Sequence, residues 1–420
     1  MRLQPTESLS PAAAVTAPNG PLRVLILTAD LPPAHWSGIG IAVENEARAL
    51  ARLSHAVTIL GASPSVSADQ EIWVPQVSIL RPGSDTTSAE RDERAWVPQV
   101  SPLRPGSEAP TKSDWEGVTV RHLPRNHFPQ DLPRFDRIHL HSLALADLAT
   151  ECARRWQIPL LYTAHMLLGS ELPDQAAGWR DAQNRLFRTA DHVRFLNHSE
   201  REQATALNLG LRARSSVLAH GMEPSAHPVI PATNRQPFIV FSGRFCRNKG
   251  ADIAAEAIEL ALARLPGWTA LLAGGHGDPD CAHLIESAAA CSRGRIRTPG
   301  WLPHNDLQQA VADAAMVLVP SRYEPFGLAA LEALRAGTPV IAAGTGGLSE
   351  MLRPDCGVLL PPSASPEKWA DAIVALAADL PLRQLLADRG PAHLQQHFNA
   401  LAQAQAMLQL LPPASRSRAA

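Results

Sequence analysis

Twice along this chain a wholly apolar run of strand length empties into a glycine-bearing loop and then into a stretch with apolar residues at helical spacing. The first instance is RVLILT (residues 23–28), a loop holding Pro32, Pro33, Gly38 and Gly40, the stretch IAVENEARALARL (41–53) and a second apolar run, AVTIL (56–60). The second instance is FIVFSGR (238–244), the loop FCRNKG (245–250), ADIAAEAIELALARL (251–265) and TALLAGG (269–275). A strand with no polar alternation is buried on both faces, which is the condition of a parallel sheet with helices on either side. Strand, loop, helix, strand is how a doubly wound domain opens. A chain of 420 residues is too long for one core and predicts two such domains of about 150–200 residues each.

Between residues 64 and 117 the pattern dissolves, and WVPQVSILRPGS (73–84) returns as WVPQVSPLRPGS (96–107). A period seen only twice is too short for a stacking solenoid, which needs about three repeats. It reads as a duplicated, Pro-rich surface insertion, with a lid over the cleft as the functional alternative. Strand signals resume at RIHLHS (137–142), PLLYTAH (159–165), HVRFLN (192–197) and SSVLAHG (215–221). In the second half IRTPGWL (296–302), MVLVPS (316–321), PVIAAG and GVLLPP are further strands, with helices at NDLQQAVADA (305–314) and LAALEALRAG (328–337). The expected partition is a flexible tail (1–20), a first domain (21–222) and a linker (223–237). A second domain (238–392), a helix crossing back to the first domain (393–411) and a tail (412–420) follow.

The net charge of -2 argues against nucleic acid as a partner, because phosphate binding needs a surplus of Lys and Arg. No apolar run approaches the roughly 20 residues of a membrane-spanning helix. The first 20 residues lack a secretory signal's apolar centre, and no basic amphipathic face marks a membrane surface. Cys152, Cys246, Cys281, Cys291 and Cys356 form neither CxxC pairs nor a ligand spacing, which suits a reducing compartment and predicts a cytoplasmic protein. The basic residues are 35 Arg and three Lys (Lys112, Lys249 and Lys368), so each Lys draws attention, an ammonium and a guanidinium doing different jobs.

GRFCRNKG (243–250) leaves a buried strand and enters a helix, placing Arg244 and Lys249 beside a helix start whose amides favour anions. A phosphate-bearing ligand fits there; a solvated Arg and Lys at a loop is the plain alternative. In RYEPFGLAALE (322–332) two carboxylates, Glu324 in the turn and Glu332 a turn into the helix, are separated by seven residues. Carboxylates accept hydrogen bonds from paired sugar hydroxyls, and the amides of Phe326, Gly327 and Leu328 add donors. The plain alternative gives Glu324 to the helix dipole and Glu332 to a surface ion pair. GTGG (344–347) supplies another close-approach loop at a strand end. Asp278 and Asp280 in GGHGDPD imitate a metal-binding pair but equally describe a solvated turn. In the first domain, His165 ends a strand and is the leading polar cleft residue, His141 ranks behind it, and His139 is taken to point the other way. Metalloprotease, serine-hydrolase and Walker A strings are absent.

At these residues the sequence resembles the retaining glycosyltransferases of the GT-B fold, family 4. GRFCRNKG is similar to the family's GR-x4-KG string and EPFGLAALE to its E-x7-E motif, and PPAHWSGIGIAV resembles its first-domain glycine loop, with Ser37 where a second Gly is common. The resemblance implies two Rossmann-like domains facing a central cleft. It also implies transfer of a hexosyl group from a nucleotide diphosphate sugar, UDP by family frequency, to a hydroxyl acceptor. Arg244 and Lys249 would hold the diphosphate, Glu324 the hexose hydroxyls and Glu332 the ribose. Gly38, Phe326, Gly327 and Leu328 would approach the donor. YTAHM and HLHS are similar to cleft-lining segments, which makes His165 a catalytic candidate with Arg244, Lys249 and Glu324. His141, Tyr162 and Thr163 become acceptor-side candidates. No metal or other cofactor is expected, the two cations doing that work. A sugar-nucleotide epimerase, a phosphorylase and a non-catalytic nucleotide-sugar binder remain open on the same frame.

Overall fold

The computed structural model describes residues 20–30, 38–62, 112–115, 117–123, 132–168, 177–275 and 277–411. The duplicated WVPQVS segment and both tails lie outside the described residues, apart from Gly20. The first half forms an eight-stranded sheet from β1 (Arg23–Thr28), β2 (Ala56–Ala62), β3 (Lys112–Trp115), β4 (Val118–Leu123), β5 (Arg137–Leu140), β6 (Leu160–Ala164), β7 (His192–Phe195) and β8 (Ser215–Val217). Its order is β3-β4-β2-β1-β5-β6-β7-β8, with every neighbouring pair parallel except β3 and β4. Helices α1 (Gly38–Arg52), α2 (Ala146–Trp156), α3 (Ala177–Thr189) and α4 (His198–Leu207) connect the strands. The hairpin of β3 and β4 falls where no strand is read from the sequence. VTVRHL is a short alternating run beside a Pro-rich segment, too weak a pattern to stand out.

The second half forms a six-stranded parallel sheet from β9 (Gln236–Arg244), β10 (Thr269–Gly275), β11 (Ile296–Gly300), β12 (Ala314–Val319), β13 (Val340–Ala343) and β14 (Val358–Leu360). Its helices are α5 (Ala251–Arg264), α6 (Pro279–Cys291), α7 (His304–Asp313), α8 (Leu328–Ala336), α9 (Gly346–Met351), α10 (Pro366–Ala378), α11 (Leu380–His397) and α12 (Ala400–Gln409). The order β11-β10-β9-β12-β13-β14 reverses between β9 and β12, and that of the first sheet reverses between β1 and β5. Such switch points open a crevice at the carboxyl edge of the sheet. Both domains are therefore doubly wound.

The apolar runs do what their composition demands: Val24 to Leu27 and Ile239 to Phe241 are buried on both faces. One core cluster is shared between domains, joining Leu196, Ala219 and Met222 to Phe326, Leu348, Met351 and Phe398. The chain passes between domains at two adjacent places. Met222 donates its amide to the Phe398 carbonyl at 2.8 Å and bridges to Asn399. The segment expected as one helix over 393–411 is broken there: α11 stops at His397, and Asn399 caps α12 by accepting from the amide of Ala402. Helix α12 then lies on α1, where Ala400, Ala404, Met407 and Leu408 share a core with Val24, Ile26, Val43, Ala47 and Leu50.

Candidate active site

At the switch point of the second sheet β9 ends in Arg244, which is half-buried and whose side chain has no hydrogen-bond or ion-pair partner among the described residues. The next turn closes on Gly250 at φ 68°, a left-handed conformation in which a Cβ would stand 2.0 Å from the carbonyl oxygen of Pro320. Only glycine lets the chain pass β12 this closely. Lys249 is thereby brought to Glu324, with Nζ 2.7 Å from Oε2, and Ser321 donates to the same oxygen at 3.2 Å. Gly327 precedes α8 as its N-cap and has no side chain to cap it, so the amides that follow depend on another acceptor. Phe326 is buried, and the amide of Gly347, in the first turn of α9, donates to the Glu324 carbonyl at 2.9 Å. A Cβ on Gly347 would meet the Pro325 oxygen at 2.5 Å, so the start of α9 and the EPFG turn interlock. From the other domain, Gly38 at the start of α1 faces the same place: a Cβ there would stand 2.8 Å from Leu328 Cδ1. The N-termini of α1 and α8 thus meet across the cleft.

Glu332 does not form a surface ion pair. It is buried, its Oε1 has no hydrogen-bond partner, and His304 Nδ1 stands 4.0 Å away. Burial pushes its carboxyl up to about 7, against the opposing pull of Arg335 and Gln308. The Asp278 and Asp280 pair is a helix start: Asp278 caps α6 by accepting from the amide of Asp280, with Pro279 in the first turn.

At the carboxyl edge of the first sheet, β5 to β8 run out into His141, His165, Asn197 and His220. His139 does not point away from this group. Residues two apart on a strand share a face, and the rings of His139 and His141 stand 4.0 Å apart. His139 Nδ1 is 2.5 Å from Glu46 Oε1, and its Nε2 is 2.7 Å from Thr163 Oγ1. His141 Nδ1 meets His165 Nε2 at 2.9 Å. Arg194 donates to Glu46 Oε2 at 2.7 Å and to the carbonyls of Leu218 and Ala219. Two acceptor-side candidates are consumed inside the protein. Thr163 serves His139, and Tyr162, whose hydroxyl accepts from Gln183 at 3.0 Å, is buried behind the strand. His141 is buried too, and His165 is the half-buried ring in front of it.

Burial raises the Glu46 carboxyl, but His139 and His141 overcome this and hold it well below the usual carboxylate range. Burial, with His139 beside it, lowers His141 to about 4. Burial also holds His165 and His220 well below the ordinary imidazole value. Glu46, His139 and His141 bring three ligand atoms within 4.8 Å of one another. However, the 2.5 Å contact between Glu46 and His139 is a direct hydrogen bond. It is shorter than the roughly 3.3 Å that two ligands of one tetrahedral zinc keep. Arg194 holds the second oxygen, so in this arrangement the three side chains form a hydrogen-bonded network.

The two edges touch. Asn197 donates to the Pro325 carbonyl at 2.7 Å, and His198 meets Glu350 at 2.8 Å. The Tyr323 hydroxyl donates to Glu200 and lies 3.2 Å from the amide of Leu167. His220 stacks on His165 and takes the edge of Phe326, ring centroids 5.1 Å apart in each case. Glu46, Arg194, His220 and Tyr323 escape the sequence reading. Two of them leave a signal: Glu46 occupies a buried position among Ala42, Val43, Ala47 and Leu50, and Arg194 interrupts the apolar run HVRFLN.

Two family profiles cover most of the chain. One, described as "Glycosyl transferase 4-like domain", matches residues 37–221, and the other, "Glycosyl transferases group 1", matches residues 236–379. Among curated relatives, the D-inositol 3-phosphate glycosyltransferase of Nocardia farcinica is 30% identical over 319 residues, covering 66% of this chain and 69% of that protein. The protein of the same name from Jonesia denitrificans is 27% identical over 328 residues, 68% of this chain and 76% of the relative. Among solved structures, Anabaena HepE in complex with UDP and glucose gives a TM-score of 0.67 at 18% identity, with 92% of this chain and 98% of that one covered. Sucrose-phosphate synthase from Thermosynechococcus elongatus gives 0.65 at 23% identity, with 93% and 98% covered. These two likenesses bear on the fold, and both match across both domains.

Proposed function

The chain belongs to the group 1 glycosyl transferases of family 4 and is a glycosyltransferase, and on that premise we propose that it moves a hexosyl group from a nucleotide diphosphate sugar to a hydroxyl acceptor with retention of anomeric configuration. What carries this is the meeting of Arg244, Lys249, Glu324 and the uncapped start of α8 at one switch point. Breaking a sugar–phosphate bond leaves negative charge on the departing diphosphate while the sugar takes on oxocarbenium character. Arg244, Lys249 and the α8 amides stabilise the negative end. Lys249, already paired with Glu324, is shared with the entering diphosphate, and Glu324 is thereby held where hexose hydroxyls reach it. The unpartnered oxygen of Glu332 takes a ribose hydroxyl. The departing phosphate accepts the acceptor's proton, and domain closure excludes water.

UDP is the favoured nucleotide, being the one in the HepE structure. Two fixed cations do the charge work that a divalent ion does elsewhere, so transfer needs no metal or other cofactor. Among the described residues no helix is long and apolar enough to cross a membrane. The five free cysteines favour action in the cytoplasm. A polyol phosphate is the first acceptor to try, since both curated relatives carry D-inositol 3-phosphate in their names.

The test begins with thermal stabilisation by UDP-glucose, UDP-N-acetylglucosamine and GDP-mannose, followed by transfer assays. Arg244→Ala and Lys249→Ala are each expected to lower kcat/KM at least tenfold, about 1.4 kcal/mol, and chelator is expected to leave the rate unchanged. Wild-type kinetics in both variants would remove the phosphate clamp.

A further inference from the structure

The polar row behind the cleft has a direction. Neutral imidazole carries one N–H and one lone pair, so what a ring offers depends on which nitrogen holds the proton. Glu46 is ionised and accepts only. Arg194 donates an N–H to its Oε2, and His139 Nδ1 lies 2.5 Å from its Oε1, so that nitrogen is the donor. His139 Nε2 meets the Thr163 hydroxyl at 2.7 Å.

His141 Nε2 stands 3.5 Å from the same Glu46 oxygen and 3.2 Å from His139 Nδ1. A lone pair at that point would face the lone pairs of the carboxylate, whereas an N–H joins His139 in donating to it. His141 is therefore protonated on Nε2, and its Nδ1 accepts from His165 Nε2 at 2.9 Å. The proton of His165 is used in that bond. Its Nδ1 has no hydrogen-bonding partner among the described residues, and the ring is the half-buried member of the row. His220, stacked on it at 21° and 5.1 Å, keeps it from turning.

We infer that Glu46, acting through His141, fixes His165 in the Nε2–H tautomer and turns its Nδ1 lone pair to the cleft as an acceptor for a substrate hydroxyl. Glu46 and His141 are positioning residues; His165 touches the substrate. The identity of the hydroxyl rests on the glycosyl-transfer reading, while the tautomer does not. Burial depresses the proton affinity of both His141 and His165, which keeps the rings neutral and the choice of tautomer meaningful.

Two measurements test this. Nitrogen NMR of the full chain labelled in its imidazole rings should show His165, assigned by its loss in His165→Gln, with Nε2 protonated and Nδ1 bare. In His141→Phe, which keeps a flat ring and leaves Glu46 with His139 and Arg194, that single tautomer should be lost. For the same variant kcat should fall at least tenfold with donor KM unchanged, while the thermal transition stays cooperative. If His141→Phe does not fold, Glu46→Gln serves instead: its amide N–H₂ should drive His165 towards the Nδ1–H form. A wild-type His165 carrying its proton on Nδ1, or an unchanged kcat in a folded relay variant, overturns the inference. Failure of every sugar nucleotide to support transfer would sink the proposed function but leave the tautomer result standing.

Discussion

Glu332 is a carboxyl group whose surroundings oppose its charge. In the unfolded chain it ionises near the ordinary carboxylate value, whereas in the fold burial raises it to about 7. Between these values the folded protein binds a proton that the unfolded chain has released. Its contribution is thus favourable below the ordinary value and is lost as pH rises towards 7. The full loss is on the order of 3 kcal/mol. Glu332→Gln is expected to flatten that part of the stability curve, so that the variant overtakes wild type above pH 7 in thermal melts across pH 4 to 9. A steeper decline in the variant would show that the carboxylate is satisfied in the free protein. A ribose hydroxyl donating to the ionised form would bind better as pH rises, so stabilisation by UDP should be larger at pH 8 than at pH 6.

At the scale of elements, most of the fold was readable and the exceptions have physical causes. Runs such as RVLILT and FIVFSGR cannot be solvated on either face, which leaves them little choice but a parallel sheet. The antiparallel β3 and β4 are short, and α6 does not stand out in the sequence because DPD looks like a turn. Yet Asp278 as a cap followed by Pro279 is equally a helix-start signal. Asp278→Ala is expected to cost about 1 kcal/mol of stability and to leave the rate of transfer, with and without chelator, untouched. A change in metal dependence would restore the ligand reading. The residues proposed to hold the donor are legible because a short string carries them, Arg244 and Lys249 in one loop and Glu324 and Glu332 in one turn and helix. Glu46 and Arg194 are 148 residues apart, and neither belongs to any string. Each merely breaks an apolar pattern, and only the fold shows that the two breaks cancel.

For the whole molecule, the cleft is closed at its floor by both passes of the backbone lying together, Met222 against Phe398 and Asn399. Any opening must bend both at once, with the ties from Asn197 to Pro325 and from Tyr323 to Glu200 as the contacts that separate. Helix α12 is part of this arrangement, since Ala400, Ala404, Met407, Leu408 and Leu411 complete the core behind β1 and α1, and Arg137 donates to the Leu411 carbonyl at 2.6 Å. A chain ending at Asn399 is expected to melt earlier and to bind a hydrophobic dye, and an added peptide of residues 400–411 should reverse both. An unaltered melt would make the helix an ornament. Synthesis runs from the amino end, and domains generally fold as they emerge. Here the first half leaves the ribosome with one wall missing, and the nascent domain must wait, exposed, until the last dozen residues of its hydrophobic seal have been translated.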